Sequence, residues 1–218
     1  MIISHRYKFV FFVNPETGSE ALEEWLAPLA EEAIVPFAAQ TPDSPYYHEM
    51  SPPEAAVAFQ QNRLDLAGYT CITCTENPFT RLPRLFQRIT EEDRFIKIRR
   101  LLGAAPATFE TWLAQTSPTG RGAGGALHQR WRRFGTWTAD HWSRGIIDHV
   151  IRREHIQTDL APVVAGLNLP IAVPEFEPRP APDYPEHLSR RSIIMIGNRY
   201  SEDIKRFGYA LASSGVAA

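Results

Sequence analysis

The order of apolar and polar positions along the chain predicts an α/β fold built on a parallel sheet. The continuous apolar run at 8–13 is typical of a strand that is covered on both faces. Runs at 69–75 and 146–153 predict a second and a third strand. Helical periodicity fills the segments between them, and strands that alternate with helices favour parallel pairing. We therefore expect a single domain over 1–218 in which helices flank the sheet.

Helix boundaries follow from residues that start or stop helices. Ser19 can cap a helix that runs to about residue 33, and Ser51 can cap another that reaches about residue 62. A helix from about Thr80 would hold Pro83 in its first turn, where the missing N–H does no harm. Further helices are predicted over 90–102, 106–114, 156–166 and 186–213, the last broken near Gly197. The last helix is predicted to bury Ile193, Ile194, Ile196, Ile204 and Phe207.

Three segments have the composition of loops. The segment 36–53 is rich in proline, 117–126 holds four glycines, and 170–185 is again rich in proline. Proline and glycine at this density interrupt regular structure, so all three are predicted to connect elements at the surface.

Overall composition limits the class of protein. Apolar residues make up 44% of the chain, and 23 basic against 25 acidic side chains give a net charge of −2. This balance is that of a globular protein and gives no overall basic surface for nucleic acid. No apolar stretch approaches the ~18 residues of a membrane-spanning helix, and no signal peptide is evident.

The two cysteines, Cys71 and Cys74, fall in one predicted strand. Three residues apart, their side chains point to opposite faces, so a disulfide between them is not expected. We interpret both as reduced and buried, which suits a cytoplasmic setting.

Two strand–turn–helix segments carry loops of a recognisable kind, Val13-Asn-Pro-Glu-Thr-Gly-Ser-Glu-Ala21 and Thr75-Glu-Asn-Pro-Phe-Thr-Arg-Leu82. They resemble the nucleotide loops of sulfotransferases that use 3′-phosphoadenosine-5′-phosphosulfate (PAPS). The family patterns are Pro-Lys-Thr-Gly-Gly-Thr-Ser and Val-Arg-Asn-Pro-Tyr-Asp-Arg-Leu-Val-Ser. The resemblance implies a P-loop-NTPase-like sulfotransferase fold, close to the carbohydrate sulfotransferases and their soluble bacterial relatives.

Three later segments extend the resemblance to residue 209. The stretch Asp148-His-Val-Ile-Arg-Arg-Glu-His-Ile-Gln-Thr-Asp-Leu160 is similar to the family pattern Asp-Phe-Val-Gly-Arg-Phe-Glu-Asn-Leu-Glu-Glu-Asp-Phe. Gly166-Leu-Asn-Leu-Pro170 resembles a Leu-Gly-Leu-Pro turn. Tyr200-Ser-Glu-Asp-Ile-Lys-Arg-Phe-Gly-Tyr209 resembles the closing pattern Tyr-x-x-Asp-x-x-x-Phe-Gly-Tyr.

The charges at the cofactor positions differ from the family pattern. The family lysine, implied to neutralise the bridging oxygen of the donor, is replaced by Glu16, and the two hydroxyl positions hold Glu20 and Ala21. The arginine and serine that the family uses for the 3′-phosphate are replaced by Glu76 and Arg84. The family's cofactor-binding positions in this chain are Thr17, Gly18, Ser19, Glu76, Arg81 and Arg84.

The sign of these charges opposes binding of PAPS or its product. Opposite charges at ~4 Å gain roughly 4 kcal/mol at an effective dielectric of ~20, and like charges lose a similar amount. Helix amides contribute only about 0.3–2 kcal/mol and do not compensate. One hypothesis is that Glu16, Glu20 or Glu76 accepts hydrogen bonds from the loop amides and pairs with Arg81 or Arg84. The alternative is that these are solvated surface charges.

Other candidate residues add weaker signals. His48 stands in a region comparable to that of the histidine base of some carbohydrate sulfotransferases, although an exposed or structural histidine is the alternative. Tryptophans and arginines alternate over 130–144, which favours a glycan or protein partner, or a helix with tryptophan packed inward. A divalent cation at Glu16, Glu20 and Glu76 is a further alternative.

Two functions follow from these observations. In the first, the chain is a degenerate sulfotransferase relative that serves as a binding or structural subunit. In the second, it is an active, divergent enzyme that transfers a sulfuryl group from PAPS to a hydroxyl of a carbohydrate or small molecule.

Overall fold

The computed structural model describes residues 1–92, 108–116, 136–143, 145–176 and 188–211. It is an α/β structure with a mostly parallel sheet and flanking helices. The chain divides into two compact units. The sheet unit comprises Met1–Glu76 and Trp142–Pro178, and the helical unit comprises Asn77–His141 and Arg179–Ala218. The predicted loop 117–126, and the predicted helix 90–102 beyond residue 92, lie outside the described residues.

Four strands form the sheet of the described residues, in the order in which they occur along the chain: β1 Ile2–Ser4, β2 Phe9–Phe12, β3 Thr70–Thr75 and β4 His149–Arg152. β2, β3 and β4 are parallel, with Phe9 opposite Thr70 and Ile72 opposite His149, which confirms the three predicted strands. The sequence did not predict β1, which pairs antiparallel with β2. With three residues, β1 is too short to give a periodic signal.

The helices of the sheet unit are α1 Glu20–Leu26, α2 Pro52–Gln61 and α6 Ile156–Leu167. α1 is shorter than predicted, because Pro28 cannot donate the next helical hydrogen bond and a 3₁₀ turn, Ala27–Leu29, takes its place. At the start of α2, the Ser51 amide and hydroxyl both donate to Glu54. α5, Ala139–Ser143, crosses the boundary between the units.

Apolar side chains cover both faces of the sheet. On one face, Tyr46, Met50 and Phe59 pack against Val10 and Phe12. The loop 36–53 thus contributes to the core and is not only a surface connection, as the sequence had suggested. Its burial signal is hard to see because Tyr46 and Met50 are isolated among polar residues and prolines.

The other face packs against α1 and α6. Phe9, Phe11 and Ile72 contact Leu22 of α1 and Leu160 of α6 in one buried cluster, and Leu26 and Leu29 belong to it as well. The buried side of α1 therefore faces the sheet.

Cys71 and Cys74 lie in the clusters on opposite faces of the sheet, as predicted from their spacing. Both are free and buried. Burial raises the pKa of Cys71 to about 12. Burial and the charge of Glu76 raise the pKa of Cys74 further, so both thiols stay protonated at neutral pH.

The helical unit contains α3 Pro78–Glu92, α4 Phe109–Gln115, α7 Arg190–Arg199 and α8 Ser201–Phe207. Their shared core includes Leu82, Leu85, Trp112, Leu113 and Ile196. α3 begins at Pro78, so Pro83 lies inside the helix and not in its first turn. Thr90 also lies inside α3, and its hydroxyl donates to the carbonyl of Phe86 at 2.9 Å, so no new helix begins there.

The final predicted helix is divided at Tyr200 and not at Gly197. Tyr200 is fully buried and its hydroxyl donates a hydrogen bond to the Thr136 carbonyl. Tertiary contacts therefore determine where one helix ends and the next begins. Ile194, predicted to be buried, is 53% exposed. Among the described helices, none has the length and hydropathy needed to cross a bilayer.

Candidate functional site

The first loop, residues 14–19, follows β2 and has a tightly turned backbone. Glu16 and Gly18 have φ values of 61° and 69°, in the left-handed region that favours glycine. The Thr17 side chain is buried and its hydroxyl donates to the carbonyl of Asn14 at 2.7 Å. The loop is therefore held by its own hydrogen bond, with one residue other than glycine in a costly conformation.

Arg153 lies against the first loop. It belongs to the 3₁₀ turn Arg153–His155 that follows β4, and its Nε donates to the carbonyl of Gly18 at 3.2 Å. A Cβ on Gly18 would overlap the Arg153 side chain, so the loop and the guanidinium are in close contact. A cation of the chain itself thus covers the backbone that the resemblance assigns to a phosphate.

Glu76 supplies the counter-charge for Arg153. Its side chain is 2% exposed, and its Oε1 lies 3.8 Å from Nη1 of Arg153. Burial at this level requires a charge to be paired or neutralised. At the positions where the family patterns quoted above have arginine and phenylalanine, this chain has Glu76 and Arg153.

Sequence reasoning missed Arg153, although one signal was present. The residue occupies an apolar position of the family pattern, and an arginine at such a position requires a polar partner. The sequence could not identify the partner, because residues 76 and 153 meet only through the parallel pairing of β3 with β4.

The candidate base His48 is held by Glu23 of α1. His48 Nε2 lies 2.5 Å from Glu23 Oε2, and the other oxygen of Glu23 accepts a 2.8 Å hydrogen bond from the Ser19 hydroxyl. Burial opposes ionisation of Glu23, but the hydrogen bonds from His48 and Ser19 hold its pKa below the ordinary value. Ser19 stands at the predicted N-cap position, yet its hydroxyl donates to Glu23 and does not cap α1.

Arg81 and Arg84 belong to the helical unit, on α3. Arg81 is 1% exposed, and its Nη2 donates to the carbonyl of Trp137 at 2.5 Å. Its guanidinium lies 5.8 Å from the centre of the Tyr200 ring. The Arg81 side chain is therefore buried inside the helical unit and makes its contacts there. Arg84 is half-buried.

In the sheet unit, two residues shared with the family pattern make structural contacts. Arg152 binds Asp159 through both Nε and Nη2, at 2.8 and 2.7 Å, which joins β4 to α6. The hydrogen bonds from Arg152 hold the pKa of Asp159 below its usual range although burial opposes this. Asp148 accepts the Cys71 amide at 2.8 Å.

In the helical unit, the shared residues Tyr200 and Asp203 bind the segment 136–139. The Tyr200 hydroxyl donates to the carbonyl of Thr136 at 2.5 Å, and Asp203 accepts the amide of Ala139 at 2.8 Å. Burial raises the pKa of Tyr200 to about 12 and also raises the pKa of Asp203.

Two further candidates from the sequence are the glutamates of a possible metal site and the region rich in tryptophan and arginine. In the described part of the chain, no three or more His, Cys, Asp or Glu side chains gather as a metal site, so Glu16, Glu20 and Glu76 do not form one. The tryptophan- and arginine-rich region 130–144 is described only at 136–143, where Trp142 is buried and Trp137 half-buried. These two tryptophans agree with inward packing, and the rest of the region lies outside the described residues.

Comparison of the chain with protein-family models, with curated proteins and with solved structures gave no match.

Proposed function

We propose that this protein is a degenerate relative of the PAPS-dependent sulfotransferases, with their P-loop-like fold, that no longer binds the sulfuryl donor and acts as a binding or structural subunit. The observation that carries the proposal is the contact of Arg153 with both Gly18 and Glu76. Arg153 lies against the loop that the resemblance assigns to a phosphate, and Glu76 lies beside Arg153, which supports the proposal.

Charge is the physical reason. A donor phosphate in the first loop would have to displace Arg153 from Gly18 and would then meet Glu76, which is nearly inaccessible to solvent. An unpaired carboxylate at that burial is costly, and an anion beside it adds repulsion. Arg81 does not offset this cost, because it is held by Trp137 and Tyr200.

Calorimetry with adenosine 3′,5′-bisphosphate tests the proposal. No heat of binding is expected at millimolar nucleotide, since affinities weaker than about 1 mM correspond to less than about 4 kcal/mol of binding free energy. Micromolar binding to the native chain would overturn it.

A charge-restoring variant sharpens the test. Glu16→Lys and Glu76→Arg, combined with Arg153→Phe to remove the internal cation, restore the family pattern at three positions. We expect this variant to gain nucleotide affinity by at least about tenfold. Glu24→Lys, Glu202→Arg and Arg191→Gln together change three exposed residues by the same net charge and should leave affinity unchanged.

Two observations favour the second function, an active sulfotransferase. The carboxylate of Glu23 orients His48 at 2.5 Å, as a general base requires. The Asn14 amide group is buried and has no hydrogen-bond partner among the described residues, so it is available to a ligand of the first loop. Transfer of labelled sulfate from PAPS to sugar acceptors, lost in His48→Asn, would establish this function in place of the first.

A further inference from the structure

The sheet unit has an open pocket at the amino-terminal ends of β2 and β3, the opposite end of β2 from the first loop. It is lined by the hairpin between β1 and β2, by the loop 36–53, and by residues 62–69. Its cavity volume is about 400 Å³. This is within the range of small-molecule sites.

A chain of hydrogen bonds forms one wall of the pocket. His5 lies between Glu32 and Tyr69, with Nε2 2.7 Å from the Glu32 carboxylate and Nδ1 2.7 Å from the Tyr69 hydroxyl. Glu32 only accepts, so it selects the tautomer with a proton on Nε2, and the Tyr69 hydroxyl then donates to Nδ1. These hydrogen bonds hold the wall in place, and the donors of His5 and Tyr69 are already engaged in them.

The adjoining Tyr46 hydroxyl is not used. Tyr46 is 2% exposed, and its hydroxyl has no hydrogen-bond partner among the described residues. Burial, together with the charge of Glu32, raises the pKa of Tyr46 to about 12, so it stays a donor at neutral pH. A buried donor without an acceptor is uncommon and calls for an acceptor atom that the protein itself does not supply.

The same pocket is bordered by two charges of opposite sign, those of Lys8 and Asp43. Neither residue has an ion-pair partner among the described residues. Lys8 has a φ of 53°, unusual for a residue other than glycine, and its Nζ lies 4.8 Å from the centre of the Tyr69 ring. Asp43 sits in a tight turn closed by paired hydrogen bonds between Thr41 and Ser44. Both charges are thus presented from short, constrained turns.

We propose that this pocket binds a small zwitterion of the α-amino-acid class, with its carboxylate on the Lys8 ammonium and the Tyr46 hydroxyl and its ammonium group toward Asp43. A simple cation fits less well, because Lys8 already occupies the face of Tyr69. A simple anion would meet the carboxylates of Asp43 and Glu32, which line the same pocket. The apolar parts of Pro45 and Leu64 suit an aliphatic side chain.

Ligand-observed NMR and calorimetry on the full chain test the site with L-leucine as the probe. Millimolar or tighter binding is expected. The two matched fragments are 4-methylpentanoate, which lacks the ammonium group, and 3-methylbutylamine, which lacks the carboxylate. Each should bind at least about tenfold more weakly than leucine.

Tyr46→Phe separates a ligand contact from a structural role. Because the hydroxyl has no hydrogen-bond partner within the described ranges, its removal should leave Tm unchanged while weakening leucine binding about tenfold. Lys8→Met should weaken binding similarly, and Lys205→Met, an exposed lysine of the helical unit, is the matched control.

Three results would overturn the proposal: no leucine binding to the native chain at about 20 mM, a fragment that binds as tightly as leucine, or native affinity in Tyr46→Phe. None of these results bears on nucleotide binding, so the amino-acid site and the proposed function are tested independently.

Discussion

Two arginines, one in each unit, are stabilised in different ways. Arg153 in the sheet unit, with its side chain 14% exposed, faces a carboxylate, Glu76, and a loop carbonyl, Gly18. Arg81 in the helical unit is buried and contacts the carbonyl of Trp137 and the ring of Tyr200. The first arrangement is a close charge pair, whereas the second combines a carbonyl, an aromatic ring and the nearby charge of Asp203. The difference shows that the chain uses Arg153 to close a loop, whereas it uses Arg81 to anchor the segment 136–139.

The largest effect is expected from breaking the charge pair on one side. Glu76→Met leaves Arg153 uncompensated and should lower the free energy of unfolding by about 3 kcal/mol. Glu76→Met with Arg153→Met removes both charges and should recover stability to within about 1.5 kcal/mol of the native chain. Urea unfolding of Glu76→Met, Arg153→Met and the double variant measures this coupling. Additive losses would show that the two side chains do not stabilise each other.

The contact between Arg153 and the first loop gives the next effect. Gly18→Ala should cost about 2 kcal/mol, because the residue has φ 69° and its new Cβ meets Arg153. In an Arg153→Met background the cost should fall toward the backbone term alone, about 1 kcal/mol. Gly145 has φ 77°, and no neighbouring side chain or backbone of the described residues lies within 4 Å of its Cβ position, so Gly145→Ala reports the backbone term separately. Equal losses at Gly18 and Gly145 would contradict the contact.

The anchoring in the helical unit is tested at Tyr200. Tyr200→Phe removes the hydrogen bond to the Thr136 carbonyl and should cost about 1–2 kcal/mol. Tyr46→Phe removes a hydroxyl that has no hydrogen-bond partner in the described part of the chain and should cost close to nothing. Thermal unfolding of both variants gives the comparison, and a loss at Tyr46 as large as that at Tyr200 would argue against it.

The smallest effect is a difference in pH dependence between Asp159 and Asp203. The pKa of Asp159 is lowered in the folded state, so its stabilisation is present above its ordinary pKa of 3.8 and is lost as pH falls below that value. The pKa of Asp203 is raised, so its contribution is present at low pH and is lost as pH rises through its folded-state value. Because Asp159 is partly exposed, its share should be no more than about 1 kcal/mol.

Chemical denaturation between pH 3 and pH 7 measures both contributions. Asp159→Asn should flatten the loss of stability toward acid pH, and Asp203→Asn should instead remove the loss toward neutral pH. The same slope change in both variants would show that the two carboxyls do not differ in this way.

The candidate site could be predicted only in part. Residues at the ends of parallel strands could be placed from sequence, because both strands were recognisable and the carboxyl ends of parallel strands lie at one edge. The hydrogen bonds that link Ser19 to His48 through Glu23 could not be predicted from sequence. They depend on how the loop 36–53 packs against α1.

Local signals in the sequence alone determined the three parallel strands, the starts of α1 and α2, and the opposite faces of Cys71 and Cys74. Each follows from periodicity or capping within about ten residues. Tertiary structure decided the rest. It placed Tyr46 in the core, divided α7 from α8 at Tyr200, and brought Arg153 to Glu76 across 77 positions of chain. The physical reason is that burial makes an isolated charge or hydroxyl so costly that its partner is set by the three-dimensional neighbourhood, which local sequence does not encode.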